Sequence, residues 1–134
     1  IIGNFIKDMS SETADSTTYI YVGDKISKYK LNIDINSKAV KGGIIEVNTI
    51  IKFSDQHEIL KKAHFEITYT TIVKVDEKVS DKKEMEKIIL CDFPNKIYPD
   101  LEKIFLNLLT DSGYPGIKLE KKVDFIELYK QRSN

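Results

Sequence analysis

Residues 29–35 read Tyr-Lys-Leu-Asn-Ile-Asp-Ile, an alternation that sets Tyr29, Leu31, Ile33 and Ile35 on one face and Lys30, Asn32 and Asp34 on the other. A period of two is that of a half-buried strand. Gly42-Gly43 then breaks the chain, and Ile45, Val47, Thr49, Ile51 and Phe53 alternate against Ile44, Glu46, Asn48, Ile50 and Lys52. After a polar turn at Ser54 to His57 the pattern resumes from Lys61, with Phe65, Ile67, Tyr69, Thr71 and Val73 facing away from His64, Glu66, Thr68 and Thr70. Three strands joined by short turns are expected to be antiparallel neighbours. The weaker β signals of Ile1 to Glu12 predict a fourth, outer strand, and Thr17 to Val22 forms another short patch of weak β character.

The period changes after the charge-rich stretch Lys74 to Lys87, which predicts a solvated loop leading into a helix. Ile97, Leu101, Ile104, Phe105, Leu108 and Leu109 recur at helical spacing, and Gly113 stands where a left-handed C-terminal cap belongs. The helix start has two solutions: Asn95 as its cap, or Pro99 in its first turn. Asp124 has N-cap chemistry for a short last helix in which Phe125, Leu128 and Tyr129 share a face. Strands first and helices afterwards predict an α+β fold, a four-stranded antiparallel sheet with two helices packed on one face. A length of 134 residues fits a single domain spanning 1–134.

Charge narrows the function classes. With 21 basic and 21 acidic side chains the net charge is zero, so no overall field draws the chain to nucleic acid or to an anionic membrane. The only cysteine, Cys91, has no internal disulfide partner, which makes a reducing cytoplasm the default compartment. No run approaches the roughly 20 apolar residues of a membrane-spanning helix. The chain opens on Ile1 rather than Met, so the natural N-terminus is expected to lie outside it.

Candidate chemistry is sparse. His57 and His64 have no ligand spacing to each other or to Cys91, so no metal is expected. The Ile88-Ile89-Leu90 run ahead of Cys91 is an apolar setting that keeps a thiol protonated and inert. The glycine pair lacks the surroundings of a phosphate loop, and a hairpin turn explains it. No catalytic constellation and no cofactor site emerges, so the chain is read as a binding module and not an enzyme. Its helix carries Ile97, Tyr98, Leu101, Ile104, Phe105, Leu106, Leu108 and Leu109, and Ile44 and Ile50 lie on a nominally polar strand face. That surplus either fills a core or packs against a second copy or a client peptide.

The series Phe93-Pro94-Asn95, Tyr98-Pro99, Gly113-Tyr114-Pro115, Leu119 and Val123-Asp124-Phe125 followed by Leu128-Tyr129 resembles the C-terminal half of the SecB family of protein-export chaperones. The segment Ile6 to Glu12 looks like that family's first strand, Tyr29 to Ile35 like its second and Phe65-Glu66-Ile67 like its fourth. The resemblance implies a cytoplasmic holdase, free of cofactors, that keeps unfolded precursor chains in apolar grooves. It also implies a homotetramer built as a dimer of dimers that passes its clients to a SecA-like motor. Residue by residue, Asp8, Glu12 and Glu66 match acidic positions that contact the motor's tail. Phe65, Ile67 and Tyr69 match positions at the interface between dimers. Tyr29, Leu31, Ile33, Phe125 and Tyr129 fall in or beside the client groove. His64 departs from the apolar residue usual at its position, and the chain stops at Asn134 without the acidic tail of typical members. Two alternatives stand beside the general export role: a SecB-like chaperone dedicated to a single client such as an antitoxin, and a small ligand-binding α+β domain.

Overall fold

The structure, a computed structural model, describes residues 2–26, 29–40, 42–54, 63–74, 82–117, 125 and 127. Its elements follow in the order β1 (Gly3–Thr13), α1 (Ser16–Lys25), β2 (Lys30–Val40), β3 (Ile44–Ser54), β4 (Ala63–Lys74), α2 (Lys82–Lys87), a π turn (Ile88–Asp92) and α3 (Phe93–Asp111). The four strands form one antiparallel sheet in the order β1-β4-β3-β2, with β1 on an outer edge as its pattern predicts. Gly42 and Gly43 both hold positive φ between β2 and β3, which side-chain-bearing residues adopt only at a cost.

The register carries the alternation of each strand across the whole sheet. Ile33 pairs with Ile51 and Ile51 with Ile67, while Leu31, Phe53 and Phe65 form the next row of the same inner face. Onto that face α3 lays Ile97, Leu101, Phe105 and Leu109, four residues apart and therefore in one stripe. Leu101, Phe105, Leu109, Ile51 and Ile67 are all 0% exposed. Phe105 meets the edge of Phe53 at 5.8 Å between ring centroids. Burying side chains of this size contributes roughly 1.5–3 kcal/mol each, which makes this layer the main source of stability.

Two local expectations are corrected. Thr17 to Val22 is helical, not extended, because the Asp15 carboxylate caps the segment by accepting the Thr18 N–H at 2.7 Å. With the cap in place Thr18, Val22 and Ile26, spaced by four, turn a buried stripe inward. The long helix takes neither predicted start: α2, the π turn and α3 follow without a break from Lys82 to Asp111. In the π turn the Phe93 N–H reaches back five residues to the Ile88 carbonyl, just ahead of Pro94, which has no N–H to give. Pro99 sits inside α3, not at its start.

At the far end of α3 the predicted glycine cap forms. Gly113 has φ +103°, its N–H donates to Thr110 O at 3.1 Å, and the Tyr114 N–H donates to Leu109 O at 2.9 Å, the paired bonds of a Schellman motif. Phe125 and Glu127 have helical backbone, whereas Asp124, Leu128 and Tyr129 of the expected last helix lie outside the described residues.

Candidate functional site

Two surfaces stand out, one apolar and one acidic. The apolar one is a cleft of about 260 Å³ between α1 and the turn that follows α3, lined by Tyr19, Ile20, Gly23, Ile26, Tyr114 and Pro115. Its floor is fixed. Tyr114 is buried, meets Phe65 edge-on at 5.5 Å, and its hydroxyl shares a 3.1 Å hydrogen bond with Thr13 Oγ1. Its α1 wall is held through Thr18, Val22 and Ile26 and leaves Tyr19, Ile20 and Tyr21 at 45%, 67% and 42% exposure. Three consecutive large apolar or amphipathic side chains in water are costly unless something covers them.

The acidic surface is the outer face of the sheet at the β1–β4 pair. Asp8 lies opposite Thr68, Ser10 opposite Glu66 and Glu12 opposite His64. A β-bulge between Ile6 and Asp8 produces this arrangement. Strict alternation would put Asp8 on the face of Ile6, which pairs with the inward Tyr69; the extra residue, Lys7, turns Asp8 and Glu12 outward to join Glu66. Lys7 reaches across to Glu46 at 3.2 Å. Burial pushes the Glu46 carboxyl up, but hydrogen bonds from Lys7 and Asn48 outweigh it and hold the group below its ordinary value. Glu12 sits 3.8 Å from His64 Nε2, and Glu66 sits 4.0 Å from Lys52 Nζ. Asp8, Glu12 and Glu66 therefore share the outer face of the sheet.

The other predicted site residues are placed differently. Phe65, Ile67 and Tyr69 are 1%, 0% and 9% exposed on the inner face beneath α3. Burial first, and then the charge of Asp100 on α3, push the Tyr69 phenol above its ordinary pKa. These three are core side chains of the chain itself and offer little surface for direct contact with a second copy. Tyr29 and Phe125 are likewise closed in the core, at 5.4 Å from Phe53 and 5.5 Å from Tyr98 between ring centroids. Leu31 and Ile33 are half-buried against it, and Tyr129 lies outside the described residues. Tyr114 and Pro115 entered only through the family resemblance, and Tyr19 and Ile20 were not singled out as site residues. The signal that points to them is Asp15, an N-cap ahead of the stripe Thr18, Val22, Ile26, which turns Ile20 and Tyr21 outward.

Among the described residues no three His, Cys, Asp or Glu side chains converge as a metal site. Cys91 is buried, with Asn95 Nδ2 at 3.9 Å from its sulfur. No helix among the described residues is long and apolar enough to cross a membrane.

The family model described as SecB, preprotein translocase subunit SecB, matches residues 1–134. A putative protein-export protein SecB of Pelagibacter ubique (strain HTCC1062) is 88% identical, covering 100% of this chain and 96% of that one. The protein-export protein SecB of Roseobacter denitrificans is 28% identical, covering 97% of this chain and 78% of the relative. Among solved structures, the Mycobacterium tuberculosis SecB-like chaperone Rv1957, in complex with a ChAD peptide from the HigA1 antitoxin, superposes with a TM-score of 0.56 at 8% identity, over 90% of this chain and 88% of that one. At that identity the likeness concerns the fold.

Proposed function

The chain belongs to the SecB family and is a protein-export chaperone, and from that premise we propose that it holds unfolded precursors by seating their apolar side chains in the cleft between α1 and the turn at 113–117. The observation that carries the reading is the exposed row Tyr19, Ile20 and Tyr21 beside an apolar cleft with a rigid floor. A client residue that buries a Leu or Phe side chain there gains roughly 1.5–3 kcal/mol, so several weak seats along one extended chain add up to useful holding without chemistry. Leu31 and Ile33, half-buried on the opposite edge strand β2, offer a further apolar seat.

The acidic outer face serves a second task in this reading. Asp8, Glu12 and Glu66 dock a basic segment of a SecA-like motor in the cytoplasm, on the side of the sheet away from the α3 layer. The chain assembles as a dimer of dimers, and support comes from Ile2, Phe5, Ile6 and Met9, which lie 43–60% exposed on and beside the edge strand β1. Phe65, Ile67 and Tyr69 act on assembly indirectly, by seating α3. The structural neighbour with an antitoxin peptide favours a second reading, a chaperone kept for one client. The relatives that carry the export name favour the general one.

The test is whether the purified protein, without nucleotide, delays aggregation of several unrelated reduced and unfolded proteins. General holding gives suppression of all of them near stoichiometric amounts. Suppression of one client alone supports the dedicated role, and suppression of none removes the holding function.

A further inference from the structure

Tyr19 stands at the cleft with contacts unlike those of its neighbours on α1. Its hydroxyl donates to the Gly113 carbonyl at 2.9 Å, and its ring tilts on Tyr114 at 5.3 Å between centroids. Both contacts cross from the α1 wall to the turn after α3. Gly113 meets two demands: φ of +103° for the helix cap, and room for the ring, since a Cβ built there would lie 2.7 Å from Tyr19 Cε2. The ring thus occupies the space a side chain at 113 would take. Yet it is 45% exposed, so it bridges the two walls from the surface and is not locked in the core.

We infer that Tyr19 is a specificity-determining gate of the cleft, an inference that rests on the cleft being the client site: ring in, the cleft suits compact aliphatic side chains; ring out, the space the ring fills beside Gly113 joins the cleft, which then takes large aromatic ones. One neutral, solvent-reachable hydrogen bond and one tilted ring contact are weak ties, with an opening ratio on the order of one in a hundred, so the gate yields to a client at modest cost. Selection therefore takes the form of a graded preference among apolar side chains.

The experiment uses labelled extended peptides of one sequence carrying a single central Leu, Phe or Trp, titrated by fluorescence anisotropy into wild type, Tyr19→Ala, Tyr19→Phe and Gly113→Ala. Wild type is expected to prefer Leu over Trp. Tyr19→Ala empties the ring's place and Gly113→Ala expels the ring, so two unrelated lesions should each raise the Trp-to-Leu affinity ratio at least threefold. Tyr19→Phe keeps the ring but cuts the tie, and should speed dissociation of every peptide with a smaller change of ratio. A purely structural role for Tyr19 weakens all three peptides in parallel. An unchanged ratio in Tyr19→Ala therefore overturns the gate even where Gly113→Ala fails to fold. Failure of wild type to bind any of the three overturns the gate and the client reading together, whereas wild-type binding with unshifted ratios overturns the gate alone.

Discussion

α3 and α1 present apolar residues of similar size, yet one buries them and the other does not. On α3 the stripe Ile97, Leu101, Phe105 and Leu109 is at most 4% exposed, because a four-residue spacing on the helix meets a two-residue spacing on the strands. On α1 the four-residue spacing is carried by Thr18, Val22 and Ile26, so Tyr19 and Ile20 stay largely in water beside the cleft. The buried stripe is on α3, whereas α1 leaves apolar side chains exposed beside the cleft. A holding protein needs this separation, since an apolar surface already packed against its own sheet is unavailable to a client.

The sharpest way to break the contrast is Phe105→Ala. Removing a fully buried ring that packs edge-on against Phe53 leaves a cavity under α3, with an expected loss of about 3–5 kcal/mol in urea denaturation. A loss below about 1 kcal/mol would mean that α3 is not the stabilising layer. The smallest effect belongs to the outer face. Reversing Asp8, Glu12 and Glu66 together to Lys should leave the denaturation midpoint nearly unmoved and client holding intact, while calorimetric binding of a SecA-like motor's tail disappears. Single reversals are expected to be near silent, because exposed ion pairs contribute about 0–1 kcal/mol each. Loss of holding in the triple variant would show that the two surfaces are one.

The strands were legible because burial on one face leaves a period of two, from Tyr29 to Ile35 and again from Ile45 to Phe53. Gly113 was legible because a left-handed cap favours one residue. The β-branched and aromatic content of Thr17 to Val22 hid α1: propensity pointed to a strand, and the Asp15 cap with tertiary burial of Val22 and Ile26 overrode it. Pro94 and Pro99 concealed the continuity of the helical run, which the π turn restores. At the site, the even spacing of Asp8 and Glu12 sets them on one face, but their joining Glu66 on the outer side depends on the bulge at Lys7, which alternation alone does not reveal. The family resemblance set Tyr29 and Phe125 in or beside the groove, and the packing against Phe53 and Tyr98 closes them in the core.

The division between a closed α3 layer and an open α1 cleft is tested most directly by hydrogen exchange, comparing the free protein with the protein saturated by an unfolded client. Slowed exchange is expected over α1 and the turn at 113–117, with the amides of Phe65 to Val73 under α3 unchanged. Protection confined to the outer edge of β1, or absent from α1 altogether, would contradict that division.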